Sequence, residues 1–177
     1  MKNTKIKITL LSGLLLLASC QKQNISIQKT NPMKMDKMNI TFDEQEDDWW
    51  TCTSFEAIKE RPAIRLILTS TEKPSKLYVE NATKKLQNLE ALILSASEEV
   101  LNNYSYDHYK SLGVSEENLE KEETAEAISK RATLCSIRFF SEDCKDFELS
   151  FEVPWDEDHS YDVEFENNEP VSCAVNG

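Results

Sequence analysis

Between residues 133 and 175 the chain alternates between apolar and polar positions. Phe147, Leu149, Phe151 and Val153 alternate with Glu148, Ser150 and Glu152. Tyr161, Val163 and Phe165 alternate with Asp162, Glu164 and Glu166, and Val171, Cys173 and Val175 with Ser172 and Ala174. Residues Thr133–Phe140 form a further strand, with Cys135, Ile137 and Phe139 on one face and Leu134 and Phe140 on the other. A period of two marks antiparallel strands with one face packed and one wet. The breaks SEDCKD, PWDEDHS and ENNEP have the lengths hairpins use. The pattern predicts a C-terminal four-stranded meander whose wet face carries Glu148, Glu152, Asp162, Glu164 and Glu166.

Two strands are expected earlier. Residues 43–48, DEQEDD, read as a polar lead-in to Trp49–Phe55, the first strand. Side chains alternate along a strand, so Trp49 and Trp50 face opposite ways, one buried and the other at an edge or surface. Lys59-Glu60-Arg61-Pro62 reads as a turn. Ala63–Thr69 is almost continuously apolar and predicts a central second strand.

Helical spacing fills the middle. Thr71-Glu72-Lys73-Pro74 reads as a helix start. Tyr78, Ala82, Leu86, Leu89, Ile93, Ala96, Val100 and Tyr104 then fall on one face, widened by Leu77, Leu92 and Leu101. The run is long for a globular helix, which points to a break near Asn88. The tyrosine-rich stretch 102–112, with Tyr104, Tyr106, His108 and Tyr109, reads as a capping connection or an aromatic recognition surface. Residues 115–131 form helix but carry only Leu119, Ala125 and Ile128 as an apolar stripe, which suits a short surface helix or a partly ordered arm. The expected class is α+β: an antiparallel sheet, two N-terminal strands plus the meander, packed against central helices.

The N-terminus changes the picture. Lys2, Lys5 and Lys7 precede a short apolar run and Leu17-Ala18-Ser19-Cys20. A positive start, an apolar core and small residues before a cut mark a secretory signal peptide, residues 1–19. The cysteine after Leu-Ala-Ser resembles the bacterial lipoprotein box, and the resemblance implies that Cys20 is acylated and anchors the chain to a membrane. Residues 20–40 then form the lipidated end and a tether carrying four lysines against one aspartate. One domain, 41–177, remains. The expected address is the bacterial cell envelope, facing the periplasm or the cell surface.

Charge separates tether from domain. Residues 41–177 hold 13 Lys and Arg against 31 Asp and Glu, a net charge of −18. Nucleic acid binding requires neutralising phosphates with cations, so nucleic acid is excluded as a partner. A basic protein suits the charge, as do divalent cations or plain solubility.

After Cys20, the cysteines are Cys52, Cys135, Cys144 and Cys173. An even number in an oxidising compartment makes them candidate disulfide cysteines, with three connectivities open. No CxxC is present, which argues against redox catalysis and a zinc knuckle.

The densest cluster of chemistry-bearing residues is Pro154-Trp155-Asp156-Glu157-Asp158-His159-Ser160. Consecutive strand residues point in opposite directions, and calcium-loop spacing is missing, so no metal site is expected. The sequence offers two histidines, no GxSxG elbow and three glycines, so neither a nucleophile elbow nor a phosphate loop is expected. No cofactor is expected. The structural reading has Trp155 anchoring the hairpin corner, Asp156 capping the turn through its backbone amides, and His159 bonding a carbonyl or carboxylate. Trp155, Asp156, Asp158 and His159 also resemble the Trp-Asp-x-acid-His-Gly corner of small bacterial α+β domains of unknown function that are similar to toxin-immunity proteins, with Ser160 in place of the glycine. An early tryptophan (Trp49 or Trp50) and Tyr104 at a helix end also fit. The resemblance implies a non-enzymatic binding domain. The functional expectation is a lipid-anchored acidic binding protein, immunity-like, for a basic protein. The alternatives are a structural envelope lipoprotein, or a hydrolase using Asp156 or Asp158 with His159.

Overall fold

The computed structural model describes residues 41–46, 48–54 and 64–177, all within the second of two units into which the chain divides, residues 32–177. The expected signal peptide, Cys20, the tether and the Lys59–Pro62 turn lie outside the described residues. Seven strands form one sheet in chain order: β1 (Thr41–Glu46), β2 (Trp49–Ser54), β3 (Arg65–Thr69), β4 (Thr133–Phe139), β5 (Phe147–Val153), β6 (Asp156–Glu166) and β7 (Glu169–Asn176). Between β3 and β4 run α1 (Lys76–Leu86), α2 (Leu89–Asn102), α3 (Tyr106–Ser111), a 3-10 turn at Glu116–Asn118, and α4 (Ala125–Arg131). The class is α+β. Five of the six neighbouring pairs are antiparallel, and β3–β4 is parallel because the helical segment carries the chain back to the same end of the sheet. Among the described residues no helix is long and apolar enough to cross a membrane.

Several elements differ from the pattern. The stretch read as a polar lead-in is largely strand β1, whose acidic sequence hides a pairing made by β2's backbone. The first helix starts two residues after Pro74, at Lys76: Ser75 is the N-cap, its hydroxyl accepting from the Tyr78 amide at 3.0 Å. The predicted break falls at Gln87–Asn88, between α1 and α2. The tyrosine-rich connection contains a helix, α3, capped by Ser105, which accepts from the His108 amide at 3.4 Å. The acidic arm is mostly irregular until α4, where Thr124 caps the helix and Ile128 is fully buried against the core.

In β4 the expected faces are rearranged. A register shift between Leu134 and Ser136 leaves Cys135 as the extra residue of a bulge, so Leu134 joins Ile137 and Phe139 in the core. The core lies between the helices and one sheet face. Leu66, Leu68, Ile137, Phe139, Phe147, Leu149, Phe151, Tyr161, Val163 and Phe165 meet Tyr78, Ala82, Leu86, Ile93, Ala96 and Val100. Buried Tyr78 donates to the Phe139 carbonyl at 2.8 Å and pins α1 to the end of β4. The β6–β7 connection is a two-residue turn with φ of 51° at Asn167 and 74° at Asn168, the left-handed pair that asparagine tolerates in tight hairpins. Asn167 and Asn168 donate their amides to the Asp146 carboxylate and the Lys145 carbonyl, both at 2.9 Å, so the two hairpin ends are laced together.

Candidate functional site

The corner between β5 and β6 is built on a tight turn at Pro154–Trp155. Val153 pairs with Asp156, and the next pair is Phe151 with Tyr161. Only Glu152 on β5 therefore faces Glu157–Ser160 on β6, and that extra length swings the segment away from the ladder. Trp155 turns inward and is 1% exposed. Tyr104 meets it edge-on at 4.9 Å between ring centres, with Tyr161 at 6.2 Å and Tyr109 at 6.5 Å. The Arg131 guanidinium sits 5.8 Å from its ring and is itself held by Glu123 and, at 2.6 Å, by the Asn118 carbonyl. The expected anchoring role of Trp155 matches this placement.

The polar residues of the corner form a chain. His159 Nδ1 lies 2.7 Å from Asp156 Oδ1. The other Asp156 oxygen accepts from the Tyr161 hydroxyl at 3.1 Å, and that hydroxyl lies 2.6 Å from Tyr109 Oη. An ionised carboxylate only accepts, so Nδ1 carries a proton, Tyr161 donates to Asp156 and Tyr109 donates to Tyr161. The expected cap on backbone amides is corrected: Asp156 spends its oxygens on His159 and Tyr161 because both reach it from the same strand. His159 does bond a carboxylate, that of Asp156. The Asp156 hydrogen bond and charge raise the His159 pKa above its ordinary value, and the Asp158 charge adds to the effect. Burial raises the Tyr161 pKa most, and the Tyr109 hydrogen bond pushes the same way. Asp158 itself is exposed, with no side-chain hydrogen bond among the described residues.

An oriented imidazole can serve as a base if a nucleophile lies within reach. His159 Nε2 has no hydrogen-bond partner among the described residues, and the chain fills the space beside it. A Cβ added at Gly177 would fall 2.3 Å from His159 Cδ2 and 2.9 Å from Nε2.

The sheet face opposite the helices carries the second cluster. One row crosses six strands in register: Thr51, Ile67, Arg138, Glu148, Glu164 and Ser172. Arg138 marks the divide. Its guanidinium lies 4.8 Å from the Trp49 ring and 4.8 Å from the Phe140 ring, and 3.4 Å from Glu148. On the far side Glu148 and Glu164 stand directly opposite each other. Burial chiefly raises the Glu148 pKa; Arg138 opposes it, and Asp162 and Glu164 reinforce it. Asp162 accepts from Asn176 Nδ2 at 2.9 Å, while its other oxygen is buried without a partner. The two tryptophans divide as alternation requires: Trp49 is 40% exposed on this face, and Trp50 packs on the core, its indole donating to the Ser70 carbonyl at 2.9 Å.

The candidate disulfide cysteines Cys52, Cys135, Cys144 and Cys173 are free thiols. Cys52 on β2 and Cys135 on β4 are two strand spacings apart, about 9–10 Å, beyond the roughly 7 Å limit for a bridge. Burial pushes the Cys135 and Cys173 thiols up to about 11 and Cys144 up to about 12. Among the described residues, no group of three or more His, Cys, Asp or Glu side chains is placed to hold a metal ion.

The corner motif and the tyrosine-rich stretch were legible in sequence; that Tyr104, Tyr109, Arg131 and Tyr161 meet beneath the corner was not, because they arrive from the α2–α3 connection, α3, α4 and farther along β6. Arg138 carried a weak signal as the one basic residue inside the alternating strands. Compared with known proteins, the chain matches no family model, no curated protein and no solved structure. The likeness to immunity-type domains therefore rests on the corner residues, the early tryptophan and Tyr104 alone.

Proposed function

We propose that this chain is a lipid-anchored acidic binding protein of the bacterial envelope, held by Cys20, that sequesters a basic protein in the manner of an immunity factor. The observation that carries the reading is the Glu148–Glu164 pair on the helix-free sheet face, with Asp162 beside it. Like charges directly opposite each other destabilise a sheet. A cationic partner removes that cost on binding, and a domain charge of −18 steers such a partner in. The lysine-bearing tether and the acyl group keep the domain at the membrane surface.

The test is capture from the envelope and secreted fractions of the source cells with the mature chain as bait. The reading expects one basic protein retained at low salt and released at high salt. An eluate indifferent to salt favours a structural envelope lipoprotein instead. The Asp156–His159 contact is the one observation that favours a hydrolase. Hydrolysis of simple esters or glycosides that disappears in Asp156→Asn and His159→Gln would establish that alternative, and no such hydrolysis is expected.

A further inference from the structure

The two edges of the sheet are guarded very differently. An edge strand exposes unpaired amides and carbonyls, and proteins blunt it with charge, proline or bulges. β1 carries Asp43, Glu44 and Glu46 in its sequence and two register shifts. β7 has a guard only at its start, where Glu169, Pro170 and a register shift opposite Glu164–Phe165 interrupt the ladder. From Ser172 to Asn176 the strand pairs in unbroken register with β6, Val171 is the unpaired residue of the shift, and the whole stretch 171–176 has no second neighbour among the described residues and contains no charged residue. Two of its side chains, Val171 and Val175, are 47% and 42% exposed.

The two faces beside this edge have opposite chemistry. On the helix-free face, Ser172 and Ala174 lie next to Glu164 and Asp162. The small Ser172 side chain leaves exposed Glu164 open to anything arriving at the edge, while half-buried Asp162 is held on one oxygen by Asn176. A residue on a strand added beside Ser172 would have its Cα about 10 Å from that of Glu164, two strand spacings. Lysine and arginine span that gap; short side chains do not. On the other face Cys173 and Val175 follow one another, and Val175, like Val171 at the register shift, is uncovered. An arriving strand satisfies both faces if basic and aliphatic residues alternate along it.

We propose that Val171–Asn176 is a recognition edge that takes up an extended strand of the partner by β-augmentation. A basic side chain of that strand reaches over Ser172 to Glu164, with half-buried Asp162 beside it, and its aliphatic side chains cover Val171 and Val175. Backbone pairing gives the affinity and alternate side chains give the specificity. The inference rests on the basic-partner reading and deepens it by naming where the partner docks and what its docking segment looks like.

The test uses the full chain and an end-capped octapeptide of alternating lysine and valine. Expected are salt-sensitive binding and new hydrogen-exchange protection confined to the amides of 171–176. A peptide N-methylated at alternate valines keeps its charge but cannot pair, and binds at least tenfold more weakly. Val171→Lys with Val175→Lys abolishes binding; both positions are exposed, so the fold survives. Asp162→Asn with Glu164→Gln weakens binding and flattens its salt dependence. Equal binding of the N-methylated peptide, or protection elsewhere, overturns the edge and leaves the basic-partner reading standing. The edge is likewise overturned if the octapeptide fails while a folded cationic probe, lysozyme, is held at low salt. If neither binds, both readings fall.

Discussion

His159 shows how one contact sets the chemistry of an exposed residue. Its side chain is 46% exposed, yet the Asp156 carboxylate holds its Nδ1 proton at 2.7 Å. The direction of the shift is upward. A raised folded-state pKa means that the corner's stabilisation by protonated His159 is complete below the ordinary histidine value of about 6.5. It fades as pH climbs through the raised folded value. Titration by NMR is expected to place His159 above its ordinary value, and Asp156→Asn to lower it toward that value, with Asp158 keeping part of the rise; an unmoved midpoint in the variant would mean that Asp156 does not hold the proton. Trp155 belongs to the same corner but acts through packing. Removing a fully buried tryptophan leaves a large cavity, so Trp155→Ala is expected to cost about 3–5 kcal/mol in denaturant unfolding, and Trp155→Phe clearly less.

The elements owe their limits to single residues at their ends. Ser75 starts α1 by capping the Tyr78 amide and also bonds Glu142 in the β4–β5 turn. Ser75→Ala is expected to lose about 0.5–2 kcal/mol, and Ser75→Asp to recover part of the cap. A loss no greater than that of neighbouring exposed positions would show that the cap contributes nothing. In β4 the bulge at Cys135 decides which side chains are core. The alternation from Leu134 to Phe140 is regular in sequence, and nothing local announces a skipped residue. The bulge exists because Leu134 pairs with Phe151 while Ser136 pairs with Ser150, one residue sooner than a regular ladder allows. Burial of the thiols is also an element-scale property. Intact mass is expected to be the same with and without reductant, and Cys135, Cys144 and Cys173 are expected to react with alkylating reagent only slowly until the protein unfolds. A two-dalton shift per bridge on reduction would contradict the free thiols.

For the whole molecule, charge and topology act together. The helices cover one sheet face, so the carboxylates of the alternating strands collect on the other. Glu164 faces Glu148, and Glu148 already has Arg138 for a partner. Glu164→Gln is therefore expected to stabilise the free protein by a few tenths to about 1 kcal/mol while weakening the proposed binding of a basic partner. Thermal unfolding at low and high salt checks the first half: the gain should shrink as salt screens the pair. A variant less stable than the parent at low salt would remove the like-charge cost on which the binding reading depends.

What could be read from the chain follows from what is local in it. Period-two alternation placed β5, β6 and β7 and their acidic face. Helical spacing placed α1 and α2 and the break at Asn88, and the Trp49-Trp50 pair had to split between faces. Each is a consequence of side-chain geometry along one element. The tertiary structure decided the rest: strand β1 inside an acidic stretch, the parallel β3–β4 pair, the bulge at Cys135, and the path from His159 through Asp156 to Tyr161 and Tyr109. Each of these depends on groups far apart in the chain meeting across the sheet or the core, and hydrophobic periodicity carries no record of which distant backbone or hydroxyl will be the neighbour. The open edge at β7 is of the same kind. Its uncharged residues are plain in the sequence, but only the strand order shows that they lie at the border of the sheet.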